Sequence, residues 1–367
     1  MLKRMRSNER LHSESALPMR KYLQRSGEMR IMRGLLWKEW RQYGWTFGLA
    51  FIVISLEPVL VPISYWLYRV GNRDAWSYGI KAILAPGLST TETTAMIVAV
   101  LLAALMLAGE RGSGLNYLVS TPVSRRQIIA AKFISGSLAL TVIMAAITLF
   151  LLVAGHLLPA QYSNQEVLPW ALVTTAALLC LFSLALLMAS LSRGVLSAAL
   201  FTAIIMALPW MLTSQILYVM QQFYLSSAIL ALKARYEAIL TYLFIPDYIS
   251  RDGRYIWDSN GNMVIDRIIT DYPLEVTLLL LAALCFLGLA IKIFEKNPLE
   301  RQGELLLFGN FKQIGLLFFS FLGAMAWAED VGTSLLSFFG YFLVMWLGIY
   351  LAMVLVVWIV GWVLQNR

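Results

Sequence analysis

Charge is scarce in this sequence of 367 residues, and the residue types that carry most enzyme chemistry are scarcer still. Asp, Glu, Lys and Arg make up 14% of the chain, against about 25% in a soluble globular domain. The two cysteines, Cys180 and Cys285, both sit inside apolar runs, so there is no disulfide framework. The two histidines, His12 and His156, cannot build a multi-histidine metal site. No G-x-x-x-x-G-K-[ST] segment occurs, so the chain does not hydrolyse nucleotide through a P-loop. Neither H-E-x-x-H nor a nucleophile elbow is present. What is abundant is apolar: 59% of the residues, against about 45–50% in soluble proteins. Together these values argue against a soluble enzyme, a nucleic-acid module and a disordered chain. They point to an all-α, polytopic helical membrane protein, without metal or bound cofactor of its own.

The net charge of +8 is concentrated at one end. Residues 1–45 hold eleven Lys/Arg against four Asp/Glu, and the remainder holds eighteen against seventeen. Beside a membrane, such a segment reads as cytoplasmic and lipid-touching, and not as nucleic-acid-binding. Residues 1–30 have no apolar h-region, so they are not a cleaved signal peptide. They show no clear periodicity and read as a mobile basic tail, with Met29 and Met32 open as alternative starts.

A spanning helix needs about 20 mostly apolar residues. Eight stretches qualify: 46–68, 93–109, 133–157, 168–191, 195–217, 274–294, 313–328 and 333–363. Lys and Arg concentrate on the cytoplasmic side of short connections. Arg111, Arg125, Arg126 and Lys132 place the loop 110–132 inside. Arg193, then Lys292, Lys296, Arg301 and Lys312, then Arg367 mark the same side. The connection 69–92, with Arg69, Arg73 and Lys81, dissents. The bias favours eight spans with both termini cytoplasmic.

Before the first span, residues 31–45 read IMRGLLWKEWRQYGW. Met32, Leu36, Trp40 and Tyr43 recur at helical spacing, while Lys38, Arg41 and Gln42 face away. This is an interfacial amphipathic helix anchored by Trp37 and Trp40, or an ordinary basic flank of the first span. The large extracellular loop 218–273 has a semi-apolar first half. Its second half carries Asn260-Gly261 between two β-prone runs, which predicts a hairpin.

The most informative segment is ERGSGLNYLVSTPVSRRQIIAAK, from Glu110 to Lys132. Gly112 and Gly114 break the helix, a short apolar stretch follows, and Ser120-Thr121-Pro122 starts a new helix. The result is an apolar knob with a basic shoulder, suited to a groove on a soluble partner, or else a basic loop that only fixes topology. Here the chain resembles permease subunits of type-2 ABC exporters. Gly114, Leu115, Leu118, Ser120, Pro122, Val123, Ser124, Arg125 and Arg126 match that family's loop stretch, and Glu110 matches its acid at the end of span two. The helix at 31–45 matches its elbow, so the resemblance covers about residues 31–295, a six-span core.

In that family two permeases form a dimer and each docks a cytoplasmic ATP-binding protein. The resemblance therefore implies a second permease, identical or paralogous, and an ATPase partner that holds ATP and magnesium. Glu110, Leu118, Pro122, Ser124, Arg125 and Arg126 would form the ATPase-coupling contact, and Trp37, Lys38, Trp40 and Arg41 the elbow. Residues 296–312 form a connector with Asn297, Pro298 and Glu300 as a helix start, and 313–367 add two spans. That addition resembles Ytr-type permeases of Gram-positive bacteria, linked to the response to cell-wall-active antibiotics. The implied activity is export of an amphipathic or lipid-like compound.

Glu57 is the one acid near mid-span, followed by Pro58 and Pro62. It either serves as an intramembrane polar site or sits at the outer headgroups. Trp170, Trp210, Trp346, Trp358 and Trp362 read as belt or core residues. Two other functions stand beside the exporter: a secondary transporter, and a membrane sensor or scaffold for a cell-wall-active peptide.

Overall fold

A computed structural model describes residues 2–67, 90–109, 123–157, 164–192, 194–223, 245–246, 254–257, 263–266, 272–296, 310–328 and 335–365. Among them are eight long helices: α1 (Leu2–Leu67), α2 (Thr90–Ala108), α3 (Arg125–Leu157), α4 (Asn164–Leu191), α5 (Val195–Phe223), α6 (Tyr272–Lys296), α7 (Asn310–Ala328) and α8 (Leu335–Gln365). The strands β1 (Arg254–Trp257) and β2 (Met263–Asp266) lie between α5 and α6. The protein is all-α apart from this hairpin. Six helices carry stretches long and apolar enough to cross a membrane: Arg30–Leu67, Thr91–Ala108, Arg125–Leu157, Val167–Leu191, Tyr272–Lys296 and Ser337–Ile359. α5 and α7 contribute the shorter apolar stretches Val195–Pro209 and Leu316–Met325.

Several boundaries differ from those read in the sequence. α1 runs without a break from Leu2 to Leu67. It takes in residues 2–30, and residues 31–45 are continuous with the first span, not a separate elbow. Gly44 and Gly48 do not interrupt the stretch around residue 45, and Pro58 and Pro62 do not end the helix. α2 stops at Ala108, and the Gly109 amide donates back to the carbonyls of Ala104 and Leu105 at 3.2 Å, a closing turn suited to glycine. α3 begins at Arg125 because Ser124 caps it. The Gln127 amide donates to Ser124 Oγ at 3.2 Å, and the Ser124 amide donates to Gln127 Oε1 at 3.0 Å. This reciprocal pair is a capping box, displaced from the start expected at Ser120–Pro122. Residues 110–122, with Glu110, Leu118 and Pro122, and the connector helix expected over 297–307 lie outside the described residues.

The expected hairpin is present. Arg254 pairs with Asp266 and Trp257 with Met263, antiparallel.

α4 is the central helix, packed by α2, α3, α5 and α6. It is apolar on every face, as a helix surrounded by others must be. Its hydroxyls bond within the helix: Thr175 Oγ1 donates to the Ala171 carbonyl at 2.6 Å and Ser183 Oγ to the Leu179 carbonyl at 2.7 Å. α3 approaches α4 closely at Gly136, where a Cβ would lie 2.1 Å from the Phe182 ring. Small residues permit such approach between membrane helices. α1 packs on α3 and α2. α7 and α8 pack on each other around their own aromatic core, with Phe321 edge-on to Phe342 at 5.3 Å and Phe342 stacked on Trp346 at 6.1 Å.

Candidate functional site at one end of the bundle

The helices alternate in direction, so the end of α2, the start of α3 and the end of α6 share one end of the bundle, here the near end. The end of α1 and the starts of α2, α4 and α6 share the far end.

At the near end, α1 presents a buried stripe: Leu35, Glu39, Tyr43, Phe47, Ala50 and Ile54. The steps of three and four residues follow the helical repeat, and one member is charged. Glu39 is 1% exposed and meets Lys132 of α3, which is 0% exposed. The ammonium donates to both carboxylate oxygens, at 3.2 and 3.1 Å. It also lies 5.4 Å from the centre of the Tyr43 ring, a cation–π distance. The Tyr43 hydroxyl lies 3.4 Å from the carbonyl oxygens of Leu105 and Met106 in the last turns of α2. Lys38 donates to Glu39 Oε1 at 3.3 Å from the surface side. Below the pair, Leu35, Ile128 and Ala131 form a small apolar cluster, with Met32, Leu36 and Val123 against it. Burying an ion pair is tolerated only with good geometry and further hydrogen bonds, and this pair has both.

The stripe expected from the sequence is therefore rotated. Of Met32, Leu36, Trp40 and Tyr43, only Tyr43 is buried, and Trp37 and Trp40 are 64% and 53% exposed. Trp37 carries the Arg41 guanidinium over its ring at 5.3 Å. The position of Glu39 against Lys132 sets the buried face. Glu39 and Lys132 were not singled out in the sequence as partners. The signal was there: each is a charge spaced four residues from apolar neighbours on its own helix, Leu35 and Tyr43 for one and Ile128 for the other.

The arginines of the first turn of α3 also have partners. Arg125 Nη1 donates to the Glu295 carbonyl at 3.0 Å and the Phe294 carbonyl at 3.4 Å. Arg126 pairs with the Glu295 carboxylate through Nε, and its Nη2 lies 3.3 Å from Glu295 Oε2. Two cations at a helix N-terminus oppose its dipole, but here Arg125 caps the C-terminal carbonyls of α6, where cations are favoured, and Arg126 is paired with the Glu295 carboxylate. Ser124 serves as the α3 cap.

At the far end, Thr91 Oγ1 donates to Glu57 Oε2. Glu57 is neither fully buried nor exposed, and the neighbour it meets is a threonine. Glu92, 0% exposed, accepts from Trp170 Nε1 at 2.7 Å. Glu275 is buried as well. Trp170 is a core residue, while Trp358 is exposed on α8 and Trp346 donates to the Leu317 carbonyl at 3.3 Å.

Among the described residues, no group of three or more His, Cys, Asp or Glu is placed to hold a metal ion. The family model for the ABC-2 family transporter protein matches residues 82–299. This is more than half of the chain. The chain belongs to the ABC-2 transporter family. It is a multi-pass membrane protein and the membrane subunit type of an ABC transporter, and membership implies an ATP-binding partner. The matched span of this ABC-2 protein runs from before α2 through α6, and leaves out α1 and the α7–α8 hairpin. No curated protein matches the chain.

Proposed function

We propose that this ABC-2 protein is the permease subunit of an ATP-driven exporter, working as a dimer with a second permease and docking a separate ATP-binding protein at the near end. The near end is then cytoplasmic, as are both termini. The observation that carries this reading is the family match over 82–299 together with the near-end hub. That hub joins α1, the end of α2 and the start of α3, the helices on either side of the 110–122 connection. A switch between two packings driven by a soluble motor needs rigid elements at the point of contact. Glu110, Leu118, Pro122, Ser124, Arg125 and Arg126 are the proposed contact, and an amphipathic or lipid-like compound is the proposed cargo. The resemblance to Ytr-type permeases extends this to a role in the response to cell-wall-active antibiotics. The apolar walls of α1 and α3 suit such a cargo.

The purified single chain is expected to hydrolyse no ATP, and the chain co-purified with its ATP-binding partner to do so. Steady-state phosphate release from both preparations checks this. Hydrolysis by the single chain above the buffer rate would refute it.

Charge reversal at Arg125 and Arg126 is expected to lower the yield of the complex while the chain still inserts. Because Arg126 pairs with the Glu295 carboxylate, the Glu295→Arg reversal serves as its control. Restoration of the complex in the double variant Arg126→Glu, Glu295→Arg would show that Arg126 acts only within the chain. Continued loss in that variant would place Arg126 against the partner.

Orientation is tested by single cysteines at Ser259 and Ser124 in a chain lacking Cys180 and Cys285. A membrane-impermeant maleimide is expected to label the two from opposite sides, and labelling of both from one side would overturn the topology.

A further inference from the structure

We propose that Glu39, Tyr43 and Lys132 form a latch that fastens both stems of the 110–122 connection to one turn of α1, so that α1 and the two stems move as a single body. The inference rests on the proposed function only for what drives the movement. The latch itself is a property of the chain.

The argument starts from which atoms are held. α2 leads into the connection through Leu105, Met106 and Gly109, and α3 leads out of it through Ile128 and Lys132. The two stems reach the same place on α1. Glu39 and Tyr43 are one helical turn apart and face the same way. Tyr43 holds the α2 stem through the carbonyls of Leu105 and Met106, and Glu39 holds the α3 stem through Lys132. Lys132 ties the two halves together because it contacts both the Glu39 carboxylate and the Tyr43 ring. The apolar cluster of Leu35, Ile128 and Ala131 continues the same contact one turn below.

Charge makes this contact selective. Apolar packing between helices in a bilayer slides easily, since lipid tails are as apolar as the side chains they replace. A buried ion pair does not slide: moving either partner by one turn strands a charge away from water. The pair therefore fixes the register of α1 against α3. α1 lies outside the matched family span, so the device reaches beyond the part of the chain that the family model describes. Glu39, Tyr43 and Lys132 are positioning residues in this scheme. They act through the stems and not on cargo or nucleotide.

The test begins with the chain alone in lipid nanodiscs, followed by amide hydrogen exchange. Lys132→Met is expected to raise exchange about tenfold or more at two separate places: the α3 stem around 125–132 and the α2 stem around 105–109. Lys132 touches the Tyr43 ring, and the Tyr43 hydroxyl meets the α2 carbonyls, so the second effect travels through Tyr43. Tyr43→Phe keeps the ion pair and is expected to raise exchange in the α2 stem more than in the α3 stem. A Lys132→Met chain that loosens only at 125–132 would overturn the latch. If that variant does not fold, a Tyr43→Phe chain with α2-stem exchange equal to wild type would overturn it as well.

The second arm uses the complex with the ATP-binding partner and a chain lacking Cys180 and Cys285. Leu35→Cys and Ile128→Cys, joined by a short reducible thiosulfonate spacer, lock α1 to α3 where they already pack. ATP turnover is expected to stay within about twofold of the reduced form, since a body that moves as one loses nothing by being tied. Turnover lost on locking and recovered on reduction would show that α1 and α3 separate during the cycle, against the latch. An unlocked complex that hydrolyses no ATP would count against the proposed function, while the exchange result would still decide the latch.

Discussion

Replacing Glu39 with methionine will destabilise the folded chain by about 3–5 kcal/mol, the range for breaking a buried ion pair from one side. The carboxylate is 1% exposed and shared by two ammonium groups, Lys132 and Lys38. Its loss leaves two like charges close together, one of them fully buried. Lys132→Met will cost less, near the low end of that range, because Lys38 still faces Glu39. The double variant Glu39→Met, Lys132→Met will return to within about 1 kcal/mol of wild type, since apolar replacement of both partners of a buried pair is often neutral. Unfolding in mixed micelles, titrated with sodium dodecyl sulfate, measures all three. A double variant as unstable as Glu39→Met would show that the charges do more than neutralise each other. Equal losses in the two single variants would show that Lys38 gives Glu39 no support.

The spans were legible because a membrane imposes a coarse rule. A stretch of about 20 apolar residues has few alternatives to a spanning helix. The hairpin was legible for a similar reason, since Asn260-Gly261 between β-prone runs has one strong local solution. The start of α3 was not. Ser120-Thr121-Pro122 and Ser124 each offer a start, and only the reciprocal bonds between Ser124 and Gln127 decide where α3 begins. The buried face of α1 was also misread, because weighting by hydrophobicity favours tryptophan and penalises glutamate. Trp40 is exposed and Glu39 buried because a partner 93 positions away in sequence cancels the charge. Only the tertiary fold brings that partner to Glu39. The same limit applies to Arg125 and Arg126. A cation in a short loop reads as free for a partner, yet Phe294 and Glu295 meet both here.

The α7–α8 hairpin follows from composition in one respect and not in another. Phe338, Phe342 and Trp346 are spaced to share one face of α8, and with Phe321 of α7 they form a core of their own. Most of α8 between 339 and 359 is exposed outside that core, which in a bilayer means contact with lipid tails or another membrane helix. The hairpin lies outside the span that marks the family. Its own aromatic packing explains how it can be added to the six-helix bundle without altering the central helix α4.

Trp170→Ala is expected to be the most damaging change at the far end, at about 3 kcal/mol or more. The residue is the largest fully buried side chain among the described residues. Truncating a buried tryptophan costs about 3–5 kcal/mol in water-soluble cores. Part of that cost is transfer from water, which shrinks in a bilayer because lipid is already apolar. The cavity remains, and so does a second loss. The indole donates to Glu92 at 2.7 Å, and Glu92 is fully buried. Removing a donor from a buried charged acceptor costs about 1–3 kcal/mol. Trp170→Phe separates the two effects, since it keeps most of the volume and removes the N–H. It should cost about 1–3 kcal/mol, and Glu92→Gln in the same chain should recover part of it, because a neutral amide tolerates the apolar site better. The double-mutant cycle through Trp170→Phe and Glu92→Gln measures the coupling, expected to exceed about 0.5 kcal/mol. A Trp170→Phe chain as stable as wild type would mean that the indole N–H contributes nothing and that Glu92 is held by its other neighbours.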